Sequence, residues 1–434
     1  MSNPEFKRNL WLQFSWHRLI AMPVVLGLTF LTIVSGGSIH YLNSYLSTFF
    51  VGIVWVWGTR NASASITDEL RDKTWDQQRM SALQPWTMTW GKLFGATSFN
   101  WYGGVICLLV AVISARNIGM EISRILTLIA GAILIHATTL ALNLHTSQIS
   151  SRIAHRGSLI GFLMMIGVIF SPWLSTVKER SLQWWGVNFD YHNFVLGSSL
   201  VFALCAVFAA WRVMSNALQV RTTPWAWPGF AILLSAFLAG FIPYANLNIL
   251  LMTGLIVAIT MTYIALFSEP NGISVWHRVS VRASTGAWRG AFEYLPLWPT
   301  TLLLSFVLAV LLSFAGSANL SSNSPGIAQF LNASPLAMAF MALRDTCIFL
   351  YFSFSEKANR VEATTLFYLV VLNVLLPFFA KVMGLGTLAL VFMPINPAQP
   401  FWSPVIMGIH AAIALWWVIR RWHKYTERLH QEAQ

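Results

Sequence analysis

The sequence predicts an all-α polytopic membrane protein, and three observations support that prediction. The chain of 434 residues is 56% hydrophobic and only 10% charged. Its mean hydropathy is +0.62. Globular domains are commonly about a quarter charged, so a water-soluble fold of this length could not bury so much apolar surface. Finally, apolar runs long enough to cross a bilayer recur along the whole chain.

These apolar runs predict twelve transmembrane helices, at 19–42, 44–58, 93–114, 122–144, 158–177, 193–213, 226–243, 246–267, 298–316, 330–353, 362–383 and 402–420. Before them, residues 1–18 are expected to form an N-terminal interfacial helix. Phe6, Leu10 and Phe14 recur there every four residues among basic side chains. A solvated tail is the alternative, although such tails seldom carry so many aromatic residues.

The basic residues divide unevenly between the two sides of the membrane. Alternating the loops places 21 of the 27 Lys and Arg residues on one side. Because basic loops stay in the cytoplasm, both termini and the loop 60–92 are expected there. The same clustering between apolar runs argues against nucleic-acid binding, despite a formal net charge of +12.

Features of the first half of the chain recur in the second and predict a tandem repeat of six spans each. Matching residues are separated by nearly constant offsets. Pro85 and Pro296 are 211 residues apart, Arg152 and Arg360 are 208 apart, and Arg212 and Arg421 are 209 apart. Because six is even, the two halves would share one orientation. The first half is expected at 19–221 with loop 60–92, and the second at 222–434 with loop 268–297.

The sequence lacks the motifs of an enzyme. Its one Gly-Lys pair, Gly91-Lys92, has neither the preceding glycine-rich loop nor the following Ser or Thr of an ATP-binding P-loop. Cys107, Cys205 and Cys347 lie inside apolar runs without metal-ligand spacing, which indicates free thiols. We therefore expect no catalytic residues, no metal and no cofactor bound by this chain.

The longest polar interruption of the apolar pattern is the loop 60–92, which carries nine charged residues. Ser65 and Asp68 have the spacing of a capping box, which predicts a helix over 66–80 on the cytoplasmic face. Charges of both signs along it suit docking on another protein, and the residues concerned are Asp68, Glu69, Arg71, Lys73, Asp76 and Arg79. A solvated helix on the membrane surface is the alternative.

One charged pair, Arg344-Asp345, interrupts the predicted tenth span. Charges inside a membrane are costly and are functional candidates for that reason. A self-compensated pair that locks helices together is the structural interpretation, and a substrate or ion-coupling site is the functional one.

The loop 60–92 resembles a pattern of ABC exporter permeases of the type V exporter fold, the ABC-2 class. The resemblance rests on Glu69, Lys73-Thr74-Trp75-Asp76, Met80-Ser81-Ala82-Leu83, Pro85-Trp86 and Gly91-Lys92. It implies six spans per half, an N-terminal interface helix and a coupling helix between spans two and three. It also implies small re-entrant helices outside, between spans five and six of each half, for which 171–192 and 384–401 are the counterparts.

The resemblance further implies a function. The chain would be the permease subunit of an exporter in the bacterial inner or plasma membrane, with ATP and Mg held by separate ATPase subunits, two of them if one chain forms the pathway. Thr74 and Trp75 would join the docking residues, and Trp288 and Arg289 would serve the second loop, which lacks the Leu-x-x-Pro and Gly-Lys pattern. An amphipathic or lipid-like substrate is expected.

Two functions of other classes remain open. An ion-coupled secondary transporter would use Arg344 and Asp345 as its coupling site. A polytopic lipid-modifying enzyme is disfavoured because the sequence has no cluster of catalytic side chains.

Overall fold

A computed structural model describes residues 3–36, 42–81, 83–115, 117–149, 181–242, 246–315, 334–355, 361–385, 392 and 402–432. In this part of the chain the structure is all-α apart from one two-stranded β-hairpin. The chain divides into two compact units, which are residues 1–183 with 188–222, and residues 184–187 with 223–434.

The first unit combines short helices with long apolar ones. Its α-helices are α1 Pro4–Gln13, α2 Trp16–Ser35, α3 Leu42–Phe50, α4 Gly58–Arg71, α5 Trp75–Arg79, α6 Pro85–Trp90, α7 Ser98–Ile113, α8 Ile118–Ile149 and α9 Tyr191–Ala217. The π-helical turn Val51–Trp57 joins α3 to α4. A second π-helical turn, Gly91–Gly95, follows α6 and leads towards α7.

The second unit repeats the alternation of long apolar helices and short polar ones. Its α-helices are α10 Ala226–Ala239, α11 Leu247–Ser268, α12 Ile273–Ser284, α13 Trp288–Tyr294, α14 Trp298–Ala315, α15 Pro335–Ser353, α16 Val361–Val370, α17 Leu376–Val382 and α18 Trp402–Glu432. A third π-helical turn, Val371–Leu375, joins α16 to α17.

Eight helices among the described residues are long and apolar enough to cross a membrane. A ninth is counted if the pair Pro85–Gly95 and Ser98–Ile113, bent by 55°, is one span. These helices make the chain a multi-pass membrane protein. The predicted span 158–177 lies outside the described residues, and the helix within 226–243 covers only Ala226–Ala239. Twelve spans and the tandem repeat therefore stay predictions.

The π-helical turn Val51–Trp57 frees backbone carbonyls inside the first unit, and polar side chains of neighbouring helices bind them. Asn100 Nδ2 donates to the Ile53 carbonyl at 2.9 Å, and His136 Nε2 lies 2.8 Å from the Val54 carbonyl. That contact requires the proton on Nε2. Buried carbonyls without partners are costly in an apolar interior, so these side chains stabilise the irregular turn.

The core of each unit is built from aliphatic, aromatic and small side chains of the long helices. In the first unit Leu46, Phe50 and Val54 pack on α7, where a Cβ at Gly104 would lie 2.5 Å from Val54 Cγ2. Only glycine permits this close approach of the two helices. In the second unit Leu255 and Leu266 of α11 belong to a core shared by α14, α15 and α18.

The β-hairpin occupies part of a segment for which the resemblance implied a re-entrant helix. Strands β1 Ser181–Trp184 and β2 Val187–Asp190 are joined by Trp185 and Gly186, with φ of 51° and 74°. Two successive positive φ angles are typical of a type I′ turn, which matches the twist of paired strands. The expectation of a helix over 181–190 is therefore wrong, whereas 171–180 and most of 384–401 lie outside the described residues.

Candidate partner-docking surface and its buried anchor

The predicted helix over 66–80 is in fact two helices. α4 starts at Gly58 as a direct continuation of the π-helical turn in the predicted span 44–58 and ends at Arg71, and α5 covers Trp75–Arg79. Between them Lys73 has φ of 57°, a left-handed conformation that ends the helix. The Thr74 N–H then donates to the Glu69 carbonyl at 2.9 Å. The chain therefore turns sharply at Lys73.

The predicted capping box is also wrong. Ser65 lies in the middle of α4, and its hydroxyl donates to the Ala62 carbonyl at 2.7 Å instead of capping a helix. The reason is that α4 extends directly from that π-helical turn, so no new helix starts at Ser65. Spacing alone did not distinguish a helix start from a helix interior.

Most of the predicted docking side chains lie on the surface around this turn. The exposed ones are Asp68, Arg71, Lys73, Thr74, Asp76 and Arg79. Arg71 pairs with Asp68 at 3.3 Å and Arg79 with Asp76 at 3.4 Å, both three residues apart on their helices. Exposed pairs of this kind contribute only about 0–1 kcal/mol to stability, so their charges remain available to a partner.

Trp75 does not belong to this surface. Its ring is 7% exposed and packs in a cluster with Ile66, Met88 and Leu93. The Lys92 ammonium lies 5.5 Å from the centre of the ring. Trp75 therefore fixes α5 to α4, to α6 and to the π-helical turn Gly91–Gly95, and a partner could not contact it directly.

Glu69 likewise points inward, where it joins four segments of the first unit. Its carboxylate accepts from Lys92 Nζ at 2.5 Å and from Gln78 Nε2 at 2.6 Å. It also accepts from the Arg8 guanidinium. Glu69 lies on α4, Gln78 on α5, Lys92 on the π-helical turn Gly91–Gly95 and Arg8 on α1.

A second carboxylate completes this ion cluster, in which only Arg8 is exposed. Glu5 is 4% exposed, and its Oε1 lies 3.4 Å from Lys92 Nζ and 3.3 Å from Arg8 Nη2. Asn9 Nδ2 donates to the same carboxylate at 3.0 Å. Two acids thus balance two bases, and the Lys92 side chain is fully buried. Removing Lys92 or Glu5, the two buried members, leaves an uncompensated charge and costs about 3–5 kcal/mol. We call Glu5, Arg8, Glu69 and Lys92 the ion cluster.

Two glycines allow α1 to reach the ion cluster. A Cβ at Gly91 would lie 2.6 Å from Glu5 Cγ, and one at Gly95 would lie 2.9 Å from Asn9 Cβ. Asn3 caps α1 through the Phe6 N–H at 3.1 Å and donates to the Thr87 carbonyl at 2.8 Å. The predicted N-terminal helix thus ends at Gln13 and has a polar face fixed to the protein, while its position at the interface stays a prediction.

The loop 268–297 of the second unit is built differently. It contains α12 and α13, on which Trp288 is 62% exposed. Arg289, with a 92% exposed side chain, pairs with Glu293 at 3.5 Å. Both predicted residues of this loop therefore lie on the surface. No side chain of α12 is fully buried, in contrast to α4 of the first unit.

The buried carboxylate of this second loop is Glu269, directly after α11. It accepts from the Leu297 N–H at 2.7 Å, and no described Lys or Arg lies within ion-pair distance. Burial raises the pKa of Glu269 from 4.5 to about 7, although the hydrogen bond from Leu297 lowers it in part. Nearby, Trp298 Nε1 donates to Asn271 Oδ1 at 2.8 Å. Hydrogen bonds without a cationic partner thus replace the ion cluster here.

Arg344 and Asp345 lie inside the second unit, 3% and 1% exposed. Arg344 Nη2 donates to Asp345 Oδ1 at 2.7 Å and to Asn373 Oδ1 at 2.5 Å. Asp345 Oδ2 accepts from the Tyr263 hydroxyl at 2.8 Å and from Asn373 Nδ2 at 3.2 Å. This buried network joins α15, α11 and the π-helical turn Val371–Leu375. The network compensates both buried charges. π-helical turns inside helices are frequent at functional sites.

Several members of these sites were missed by sequence reasoning. Arg8, Tyr263 and Asn373 carried no motif, because their partners are far away in the chain. Gln78 meets Glu69, nine residues earlier, only because the chain turns at Lys73, which the sequence did not predict. Lys92 was noted only as part of a Gly-Lys pair. Within the described residues, no group of three His, Cys, Asp or Glu side chains could hold a metal ion.

Comparisons with known proteins found no match among protein-family models, curated proteins or solved structures.

Proposed function

We propose that this chain is the membrane-spanning permease subunit of an ABC transporter, energised by separate ATPase subunits that dock on its cytoplasmic loops. The observation that carries the proposal is the position of Glu69. Its carboxylate connects the exposed turn around Lys73 with α1 and with the start of the third span. A charged surface tied rigidly to a transmembrane helix is the arrangement that a mechanical coupling site needs.

The coupling would run through few and specific contacts. ATPase subunits that hold ATP and Mg would bind Asp68, Arg71, Asp76 and Arg79 through complementary charges. Their closure would displace α5, which Gln78 ties to Glu69 at 2.6 Å. Because Lys92 binds the same carboxylate, the displacement would reach the third span together with α4. Packed and hydrogen-bonded elements transmit such shifts because they do not deform continuously.

The two docking surfaces would contribute unequally. The first loop is joined to its span by charged groups, whereas Trp288 and Arg289 of the second loop lie on an exposed helix without a buried ionic anchor. We propose that the first loop transmits most of the force. The cargo would be amphipathic or lipid-like, exported across the plasma membrane of a bacterium, as in the permease class that the motif resembles.

A charge reversal tests this proposal with a matched control. Asp76→Arg with Arg79→Glu reverses the exposed pair of the first loop, and Arg289→Glu with Glu293→Arg reverses the exposed pair of the second. After purification in mild detergent, the wild type should retain a protein with a Walker A motif. The first variant should lose it and the second should retain more. The proposal fails if no ATP-binding protein accompanies the wild type.

A second candidate function is an ion-coupled secondary transporter, favoured by the buried network around Arg344 and Asp345. The test is ion movement in proteoliposomes that contain this chain alone. Transport driven by an ion gradient without any ATPase, and abolished by Asp345→Asn, would establish this function and overturn the first. Under the permease proposal, Asp345→Asn instead lowers stability, because it leaves the Arg344 charge uncompensated.

A further inference from the structure

The last helix, α18, extends far beyond the thickness of a membrane. It has 31 residues, which corresponds to a length of about 46 Å at 1.5 Å per residue. The hydrocarbon core of a bilayer is only about 30 Å thick. If Trp402 lies near one surface, the helix therefore leaves the hydrocarbon at about Arg420, on the side to which the basic residues assign the cytoplasm.

The two faces of α18 differ at this level. On one face Arg421 is held by the protein, since its Nη1 donates to the Tyr351 carbonyl at 2.7 Å and its guanidinium lies 4.3 Å from the Tyr351 ring. Trp422 stacks near Phe354 on the same side. The helix is thus fixed in rotation, and the opposite face is presented outward.

That outward face carries an exposed row of cationic and aromatic side chains. Trp416, Arg420 and Lys424 follow each other every four residues, with His423 beside them. The Arg420 guanidinium lies 5.5 Å from the Trp416 ring centre. The row borders an open, shallow recess of about 420 Å³ whose lining residues, which also include Ile419 and Glu427, all belong to α18. Glu427 lies furthest along the helix from the span, so the basic end of the recess faces the membrane.

The corresponding end of the first unit has no such row. At the offset of 209 residues that separates Arg212 from Arg421, the positions of Arg420 and Lys424 are held by Trp211 and Ser215. Ser215 is buried, and α9 ends shortly afterwards at Ala217. Folding of a six-span half therefore does not require these cationic side chains.

We propose that this recess on α18 binds the headgroup of an anionic phospholipid of the cytoplasmic leaflet. Arg420 and Lys424 would contact the phosphate, and Trp416 would lie beside the glycerol region, where indole rings favour the membrane interface. An anionic lipid headgroup is the expected occupant because the row is cationic and lies at the depth where the hydrocarbon core of the bilayer ends. The proposal is independent of any ATPase partner.

The test is native mass spectrometry of the full chain in detergent with added phosphatidylglycerol, and phosphatidylcholine as the uncharged comparison. The wild type should retain phosphatidylglycerol preferentially. Arg420→Gln with Lys424→Gln should weaken that retention roughly 30-fold, from the contribution of two basic residues near an anionic surface. Arg420→Lys with Lys424→Arg should preserve it, and Glu427→Gln should strengthen it by removing a competing carboxylate.

Two controls separate this site from general electrostatics. Arg278→Gln with Arg289→Gln removes the same charge from exposed positions of the loop 268–297 and should leave retention unchanged. Millimolar inorganic phosphate should not displace the lipid. Equal loss in both double variants, full displacement by phosphate, or an unchanged preference in the α18 variant would each overturn the proposal.

Discussion

The loops 60–92 and 268–297 solve one structural problem with different chemistry. Each must fix the chain that leaves one apolar segment to the start of the next one. The first loop uses Glu69 and Lys92 within the ion cluster, whereas the second uses Glu269 on the Leu297 N–H and Asn271 on Trp298. Hydrogen bonds between charged groups are strong and geometrically specific, so the connection of the first loop depends strongly on each member of the ion cluster. The second connection has no cationic partner, which suits a loop with a smaller mechanical role.

The largest expected effect is the loss of Lys92. Lys92→Met leaves Glu5 and Glu69 without their shared cation in a buried position, so stability should fall by about 3–5 kcal/mol. Thermal unfolding in detergent measures this. Adding Glu69→Gln to the variant should restore much of the loss. If Lys92→Met unfolds like the wild type, the ion cluster does not hold the first loop.

The second prediction concerns how stability depends on pH through Glu269 in the loop 268–297. Burial raises the pKa of Glu269 to about 7 from 4.5. Below pH 4.5 the Glu269 carboxyl is protonated in both the folded and the unfolded chain. As the pH rises, the unfolded chain loses this proton first, and the stability of the fold therefore decreases. The cost is complete above pH 7 and amounts to about 3 kcal/mol.

Glu269→Gln removes that cost. The variant should match the wild type near pH 4.5 and exceed it in stability above pH 7. Glu293→Gln, on the surface of the same loop, is the control and should change little at either pH. A stability difference between Glu269→Gln and the wild type that stays constant with pH would contradict the assignment.

A third and smaller effect is expected at the glycines under α1. Gly91→Ala would place a methyl group 2.6 Å from Glu5 Cγ, and such overpacking commonly costs about 1–3 kcal/mol. Gly272→Ala in the second loop meets no atom closer than 4.0 Å and should be nearly neutral. Thermal unfolding of the two variants compares them. Equal stability would mean that α1 does not depend on this close approach.

The smallest effect on stability is expected on the docking surface itself. Asp76→Ala breaks an exposed pair with Arg79, which should cost less than about 1 kcal/mol. Its effect on ATPase retention should be much larger, because the carboxylate is available to a partner. A variant that loses stability and partner in parallel would instead indicate a purely structural role for Asp76.

The sequence predicted the apolar helices well because their hydrophobic pattern is local. It also predicted which loop carries the charges, but it could not tell which of those charges point inward. Glu69 and Trp75 look like surface residues next to Asp68 and Asp76. Glu69 instead points inward to Arg8 of α1, which lies more than sixty residues earlier, and Trp75 packs on Ile66, Met88 and Leu93.

Other residues were wrongly interpreted or overlooked because their contacts also depend on the tertiary structure. Ser65 and Asp68 satisfied a capping pattern, yet α4 simply continues from the π-helical turn before it. The buried network of Arg344 and Asp345 was visible as a charged pair, whereas its partners Tyr263 and Asn373 come from other helices. Such partners are fixed by tertiary packing, which a single sequence does not reveal.

The most direct test of the proposed coupling is site-specific photo-crosslinking in native membranes. A photoreactive side chain at Asp76 faces outward at the turn of the first loop, and one at Arg289 occupies the second. The account predicts a strong crosslink from position 76 to a protein with a Walker A motif, and a weaker one from 289. Crosslinks from position 76 only to lipid, in cells where transport proceeds, would contradict it.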